Sequence, residues 1–242
     1  MTTTLFGWGP MFGLRGPSPF VLKTEIQLQM LGVPFGRAIA DVDTVAKHKA
    51  PYVRDGEQLI EDSTFIRMYF ERKLDRHLDA RLTREQRAAA WALERMLEDR
   101  LHFIMVHERW LVDANLYKGP AHFFDGLPEA QRAAVIARVR DDLRQMLVRH
   151  GLGRHSRAER MELAARDIAA VADTLGEKKF LFGAEPSAAD AVAFGVLSSC
   201  GTRFFDSPLP PLVEQHAGLV DYLQRMEERF FHDAAWPTLP AS

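Results

Sequence analysis

The chain has 242 residues, enough for one large domain or two modest ones with real cores. Its formal net charge of -2 lacks the basic excess that a polyanion partner demands, so no nucleic-acid binding is expected. Cys200 is the single cysteine, which excludes an internal disulfide and any multi-cysteine metal site and suits a reducing compartment.

In chain order, Thr3 to Trp8 is a β-prone apolar run ended by Gly9-Pro10, which predicts a first strand. A loop rich in Gly and Pro follows, from Gly9 to Pro17. Ser18 as N-cap, Pro19 in the first helical position and Gly32 just past Leu31 then punctuate a helix. Val33 to Ala40 predicts a second strand. Ala50 to Arg54 and Glu57 to Ile60 flank Asp55-Gly56, a pair suited to the positive φ angles of a tight turn, and predict a hairpin. Asp62-Ser63 heads a helix over 64–74. The order β-α-β, connector, β-β-α is the thioredoxin-type arrangement.

From residue 83 onward helix formers dominate. Thr83 with Gln86 and Ser156 with Glu159 have capping-box spacing, and Ser187 with Asp190 has the same geometry. Helices are predicted over 83–113, 128–150, 156–175, 187–201 and 211–230. The expected architecture is an α/β thioredoxin-like N-terminal domain (1–76), an all-α C-terminal helical bundle (83–232) and a tail (233–242).

Other signals point away from further functions. No stretch of about 18 apolar residues occurs, so no membrane span is expected. Met1–Pro10 lacks a signal-peptide pattern and Trp236–Ser242 matches no lipidation signal or tail anchor, so a cytoplasmic location is expected. His102 and His107 stand five apart, not at the i, i+4 spacing of a helical metal pair. His48, His150 and His155 lack partners at motif spacing, so no metal site is expected. Arg149 to Arg160 is locally basic but straddles a helix end, where positive charge complements the dipole.

Ser18-Pro19-Phe20-Val21-Leu22-Lys23, the step Ala50-Pro51-Tyr52-Val53 and Asp62-Ser63-Thr64-Phe65-Ile66 fall in the order seen in glutathione transferases. Leu93 to Glu98, Glu108-Arg109-Trp110 and Pro186 to Ala191 extend the match. The chain thus resembles the glutathione S-transferase superfamily, and within it the failed-axon-connections and metaxin-like branch, over most of residues 4–230. The resemblance implies the glutathione transferase fold and glutathione as a substrate.

The resemblance also implies site residues. Ser18 would be the catalytic residue, donating a hydrogen bond to the glutathione sulfur; no tyrosine precedes Tyr52 and Cys200 is remote in sequence, so the tyrosine and cysteine variants of the family do not apply. A thiol with a pKa of roughly 8.5 needs such help to be a thiolate at neutral pH. Pro51 resembles the family's cis-proline, with the Ala50 backbone facing the cysteinyl unit. Asp62 and Ser63 would receive the γ-glutamyl end and Lys49 the glycyl carboxylate. The residues alone leave Ser18 and Asp62-Ser63 equally open to plain helix capping, and Lys49 to a solvated surface role. The acceptor pocket would lie between the Gly9–Pro17 loop, with Trp8 and Phe12, and the first long helix, with Phe103, His107 and Trp110; a packed core stripe is the competing reading.

One departure from the family is visible: Ala40 to Pro51 is too short for the helix that usually helps hold the glycyl end. The expected activity is a serine-type transferase that activates the glutathione thiol for attack on a small hydrophobic electrophile or peroxide, in a homodimer. A non-catalytic metaxin-like adaptor and a ligand-binding protein without turnover are the alternatives.

Overall fold

The computed structural model describes residues 2–232 and 235–237. Four strands form one mixed sheet in the order β2-β1-β3-β4: β1 (Thr3–Gly7), β2 (Phe35–Ile39), β3 (Tyr52–Asp55) and β4 (Gln58–Glu61). β1 pairs parallel with β2 and antiparallel with β3, and β3 pairs antiparallel with β4. Helices α1 (Pro19–Leu31) and α2 (Ser63–Leu74) cover this sheet. Gly32 closes α1 in the left-handed conformation, donating its N–H to the Gln29 and Leu28 carbonyls. Between β2 and β3 the chain makes only a 3-10 turn over Val42–Thr44, which agrees with the shortened connection read from the sequence.

The helical half comprises α3 (Arg84–Met96), a π-helical segment (Leu97–Leu101), α4 (His102–Trp110), α5 (Asp113–Lys118), a 3-10 turn (Pro120–Phe124), α6 (Glu129–His150), α7 (Arg157–Leu175), α8 (Ala188–Gly201), α9 (Leu209–Glu214) and α10 (Ala217–Phe230). All three capping boxes form as the sequence suggests. Two predicted helices need correction. The one expected over 83–113 ends at Trp110, because buried Asn115 donates its Nδ2 hydrogens to the Glu108 and Asp206 carbonyls and redirects the chain. The one expected over 211–230 is α9 and α10, broken where His216 leaves the helical region.

The two halves share one large core. α1 is buried on nearly every face, since the sheet and α2 flank it on one side and α8 on the other. Gly195 of α8 makes that approach possible: a Cβ there would sit 2.4 Å from the Pro19 carbonyl oxygen. Of the tail expected over 233–242, residues 233–234 and 238–242 lie outside the described residues. Trp236 packs over the start of the Gly9–Pro17 loop, its Cβ 2.6 Å from where a Cβ on Gly9 would be. Among the described residues no helix is long and apolar enough to cross a membrane.

Candidate functional site

β1, in the middle of the sheet, delivers the chain at Gly7 into the loop that leads to α1. β3 begins just after Pro51 beside it, and α2 starts just past the end of β4. Two helix N-termini and the Ala50–Pro51 bond, which is cis, therefore meet at one end of the domain, under the α3–α4 rod. Two cavities of about 560 Å³ each open there, and Phe20 and His102 line both.

The first cavity brings together all five residues assigned to glutathione from the sequence: Lys49, Ala50, Pro51, Asp62 and Ser63. Asp62 takes a φ of +82°, which a non-glycine residue rarely adopts. Its Oδ1 accepts from the Thr64 N–H at 3.0 Å and its Oδ2 from Lys49 Nζ at 2.7 Å. Burial raises the Asp62 pKa, but the Lys49 ion pair and the α2 N–H groups outweigh it, so the carboxyl titrates below its ordinary range. Ser63 is buried, and among the described residues its hydroxyl has no hydrogen-bond partner. The bundle supplies the opposite wall with Trp91, Arg95, Glu98 and Phe103.

Ser18 lines the second cavity, not the first. Its Oγ accepts from the Val21 N–H at a long 3.4 Å, the N-cap bond of α1. The loop before it is pinned at three points: Thr202 Oγ1 donates to the Phe12 carbonyl at 2.7 Å, Arg109 to the Pro17 carbonyl at 3.1 Å, and Trp236 covers Gly9. Trp8, Phe12 and Trp110 line this cavity as expected, around Phe123, which stacks on Trp110 with centroids 6.2 Å apart. Phe12 also packs into Phe204 and Phe205 and is largely buried, so it serves the core as well.

Two assignments to this cavity need correction. Phe103 lines the first cavity and lies against His150, with centroids 5.1 Å apart. His107 lines neither cavity; burial first, then the positive charges of Arg160 and Arg157 on α7, lower its pKa. The face of α4 that meets the second cavity carries His102, Met105, Val106 and Arg109, offset by one residue from the stripe read in the sequence. The π-helical segment adds a residue to the turn before α4 and so sets its rotation, which spacing within α4 does not reveal.

Arg109 was singled out in the sequence only as part of a family stretch. It is 4% exposed, and its guanidinium spans from the Pro17 carbonyl to the Ser199 carbonyl, at 3.1 and 2.7 Å, over the Phe205 ring. Burial lowers its pKa to about 10, which still leaves it charged at neutral pH. His102 keeps part of its surface on the cavities and is enclosed elsewhere; burial, then the Arg109 charge, push its pKa down to about 3, so its ring is neutral. Cys200 is buried near Arg109, and burial pushes its thiol up to about 12, which makes it a poor nucleophile. Among the described residues no group of three or more His, Cys, Asp or Glu side chains is placed to hold a metal ion.

Comparison with known proteins matches both halves. Residues 19–115 match the glutathione S-transferase N-terminal domain family, and residues 164–226 the glutathione S-transferase C-terminal domain family. The isoprene-epoxide glutathione S-transferase of Rhodococcus sp. (strain AD45) is 29% identical over 242 residues, covering 94% of this chain and 98% of that protein. Failed axon connections of Drosophila melanogaster is 28% identical over 229 residues, covering 89% of this chain and 55% of that protein, so the chain spans about half its length. Among solved structures, a beta-etherase from Sphingobium sp. strain SYK-6 superposes with a TM-score of 0.68 at 16% identity, over 97% of this chain and 100% of that one. A Methylobacterium radiotolerans glutathione S-transferase, solved with glutathione sulfonate, superposes at 0.62 with 18% identity, over 100% and 99%. The N-terminal match falls on the sheet domain and the start of the bundle, the C-terminal match on α7 to α10, and on that basis the chain belongs to the glutathione S-transferase superfamily.

Proposed function

We propose that this protein is a serine-type glutathione transferase, with glutathione in the first cavity and a small apolar electrophile in the second. The observation that carries the reading is the state of Ser18. As N-cap its oxygen accepts a hydrogen bond, which uses a lone pair and leaves the hydroxyl proton free. Capping and donation to a thiolate are therefore compatible. The positive end of α1 adds to the stabilisation of an anion there.

In the first cavity the γ-glutamyl carboxylate would take the Ser63 hydroxyl and the first-turn N–H groups of α2, which helix geometry leaves without i-4 partners. Lys49, half exposed and bonded to Asp62, keeps further N–H donors for the glycyl carboxylate. The cysteinyl backbone would lie along Ala50, and the sulfur would pass Phe20 and His102 to reach Ser18. The thiolate then attacks an electrophile held among Trp8, Phe12, Trp110 and Phe123. Similarity to an isoprene-epoxide transferase along nearly the whole chain favours turnover over an adaptor role. We place the protein in the cytoplasm, as a homodimer.

The missing helix between β2 and β3 favours a second reading, a glutathione-binding protein without turnover. Calorimetric titration with glutathione, paired with a conjugation assay, separates the two. The transferase reading predicts binding by the wild type, weakened about 10-fold in Ser63→Ala. It also predicts conjugation lost in Ser18→Ala with glutathione affinity retained. Binding without conjugation supports the second reading, and no binding at millimolar glutathione supports the adaptor.

A further inference from the structure

Phe20 and His102 line both cavities, so a ligand that reaches from one into the other passes these two side chains. The Phe20 side chain has no polar atom, which leaves the imidazole as the hydrogen-bonding side chain shared by the two cavities. Its two nitrogens have different surroundings. Nδ1 is enclosed without a partner, whereas Nε2, also unbonded among the described residues, is not closed off and opens on the cavities. The rings of Phe20 and Phe103 meet the imidazole edge-on, with centroids 4.7 and 5.2 Å away, and hold its tilt. A neutral imidazole carries one proton, and a buried N–H is almost never left without an acceptor. The proton therefore belongs on Nε2, at the open edge. Burial, then the Arg109 charge, keep the ring neutral.

We propose that His102 is a second catalytic residue, whose Nε2–H donates a hydrogen bond to the glutathione sulfur from the bundle side while the Ser18 hydroxyl donates from α1. This assignment rests on the transferase reading and deepens it. A sulfur that crosses from the first cavity towards Ser18 passes the open edge of the imidazole. The thiol proton leaves to water, because a hydroxyl is no base and an imidazole with a pKa of about 3 takes no proton at neutral pH. Ser18 and His102 keep their own protons and share the charge left on sulfur, whose electron pair then forms the bond to the acceptor. A neutral donor weakens that nucleophile less than an imidazolium would. The flanking aromatic rings set the donor in place before glutathione arrives, so little reorganisation accompanies ionisation.

Two readouts test the assignment: the thiolate absorbance of bound glutathione titrated against pH, and the 15N signals of His102 in histidine-labelled protein, assigned by contacts with the Phe20 ring. The free wild type at neutral pH should show a neutral ring protonated on Nε2, and glutathione should shift the Nε2 signal far more than that of Nδ1. A ring protonated on Nδ1, or an Nε2 signal that ignores glutathione, would overturn the assignment without any variant. His102→Phe should raise the pKa of the bound thiol by about 1 unit, and His102→Gln, which keeps an N–H donor, should recover part of that shift. Ser18→Ala combined with His102→Phe should bring the thiol closer to its free value than either change alone. An unchanged thiol pKa in His102→Phe, or equal shifts in the Phe and Gln variants, would make His102 a packing residue while leaving the transferase reading intact. A wild type that binds no glutathione would overturn both readings.

Discussion

His102 stands between the two cavities with its ring edge-on to Phe20, centroids 4.7 Å apart, and its Nδ1 buried without a partner. Its pKa of about 3 against an ordinary 6.5 has a consequence for stability. Between those values the unfolded chain binds a proton that the folded chain refuses, so stability falls as pH drops from about 6.5 towards 3, by at most about 1.4 kcal/mol per pH unit from this group. His102→Gln should flatten the dependence of unfolding free energy on pH between 5 and 6.5, as read by urea titration; an unchanged slope would mean the ring is solvated. The Asp62 pKa is lowered as well, but for a different reason, since Lys49 and α2 hold its carboxylate ionised. At this scale the sequence was most informative where one residue type has one geometric use. Ser18, Pro51 and Asp62-Ser63 sit at element starts, and turn chemistry places them. Arg109 and His102 were not legible as site residues, because a charge or an imidazole inside a helix looks the same whether it faces water or a cavity.

α1 and α8 cross in contact, and the point of closest approach is Gly195 against Pro19, one residue beyond Ser18. Gly195→Ala should therefore push the start of α1, lowering conjugation and destabilising the fold by about 1–3 kcal/mol, measurable by thermal unfolding beside the activity assay. Asp190, fully buried in α8, accepts from the Leu181 N–H at 2.9 Å, the Ser187 N–H at 2.7 Å and the Tyr222 hydroxyl at 3.0 Å. Asp190→Ala strands those donors and should cost about 3 kcal/mol of stability while leaving glutathione affinity of the folded fraction unchanged. Helix starts were readable because caps are local chemistry, and all three boxes formed. Helix interiors and stops were less so. The π-helical segment and the α4 rotation it sets come from packing, as does the role of Asn115. The α9–α10 break did leave a trace, since the apolar spacing from Val213 skips to Leu219.

Across the whole molecule the two halves are locked by charges that a one-dimensional reading assigns to solvent. Lys23 of α1 is fully buried, with Nζ 2.7 Å from Glu98 in the π-helical segment and 3.0 Å from the Thr64 hydroxyl of α2. Arg67 of α2 reaches Glu94 of α3 at 3.0 Å. Lys23→Met leaves Glu98 buried with only Arg95, so it should lower stability by about 3 kcal/mol in urea unfolding; no change would mean that the Lys23 pair contributes little net. Phe65, 55% exposed and covered on one face by Lys47, and Trp91, covered by Arg95, both line the first cavity. The chain order of strands and helices made the two-layer architecture legible, whereas the split of the site into two cavities on either side of Phe20 and His102 depends on how the halves dock. The proposed chemistry turns on the proton of one hydroxyl, and the ultraviolet absorbance of bound glutathione thiolate, titrated against pH, reads it most directly. The wild type should hold the thiol pKa clearly below its free value and Ser18→Ala should return it towards that value by about 1–2 units with binding intact. Superimposable titrations for the two proteins would contradict the account.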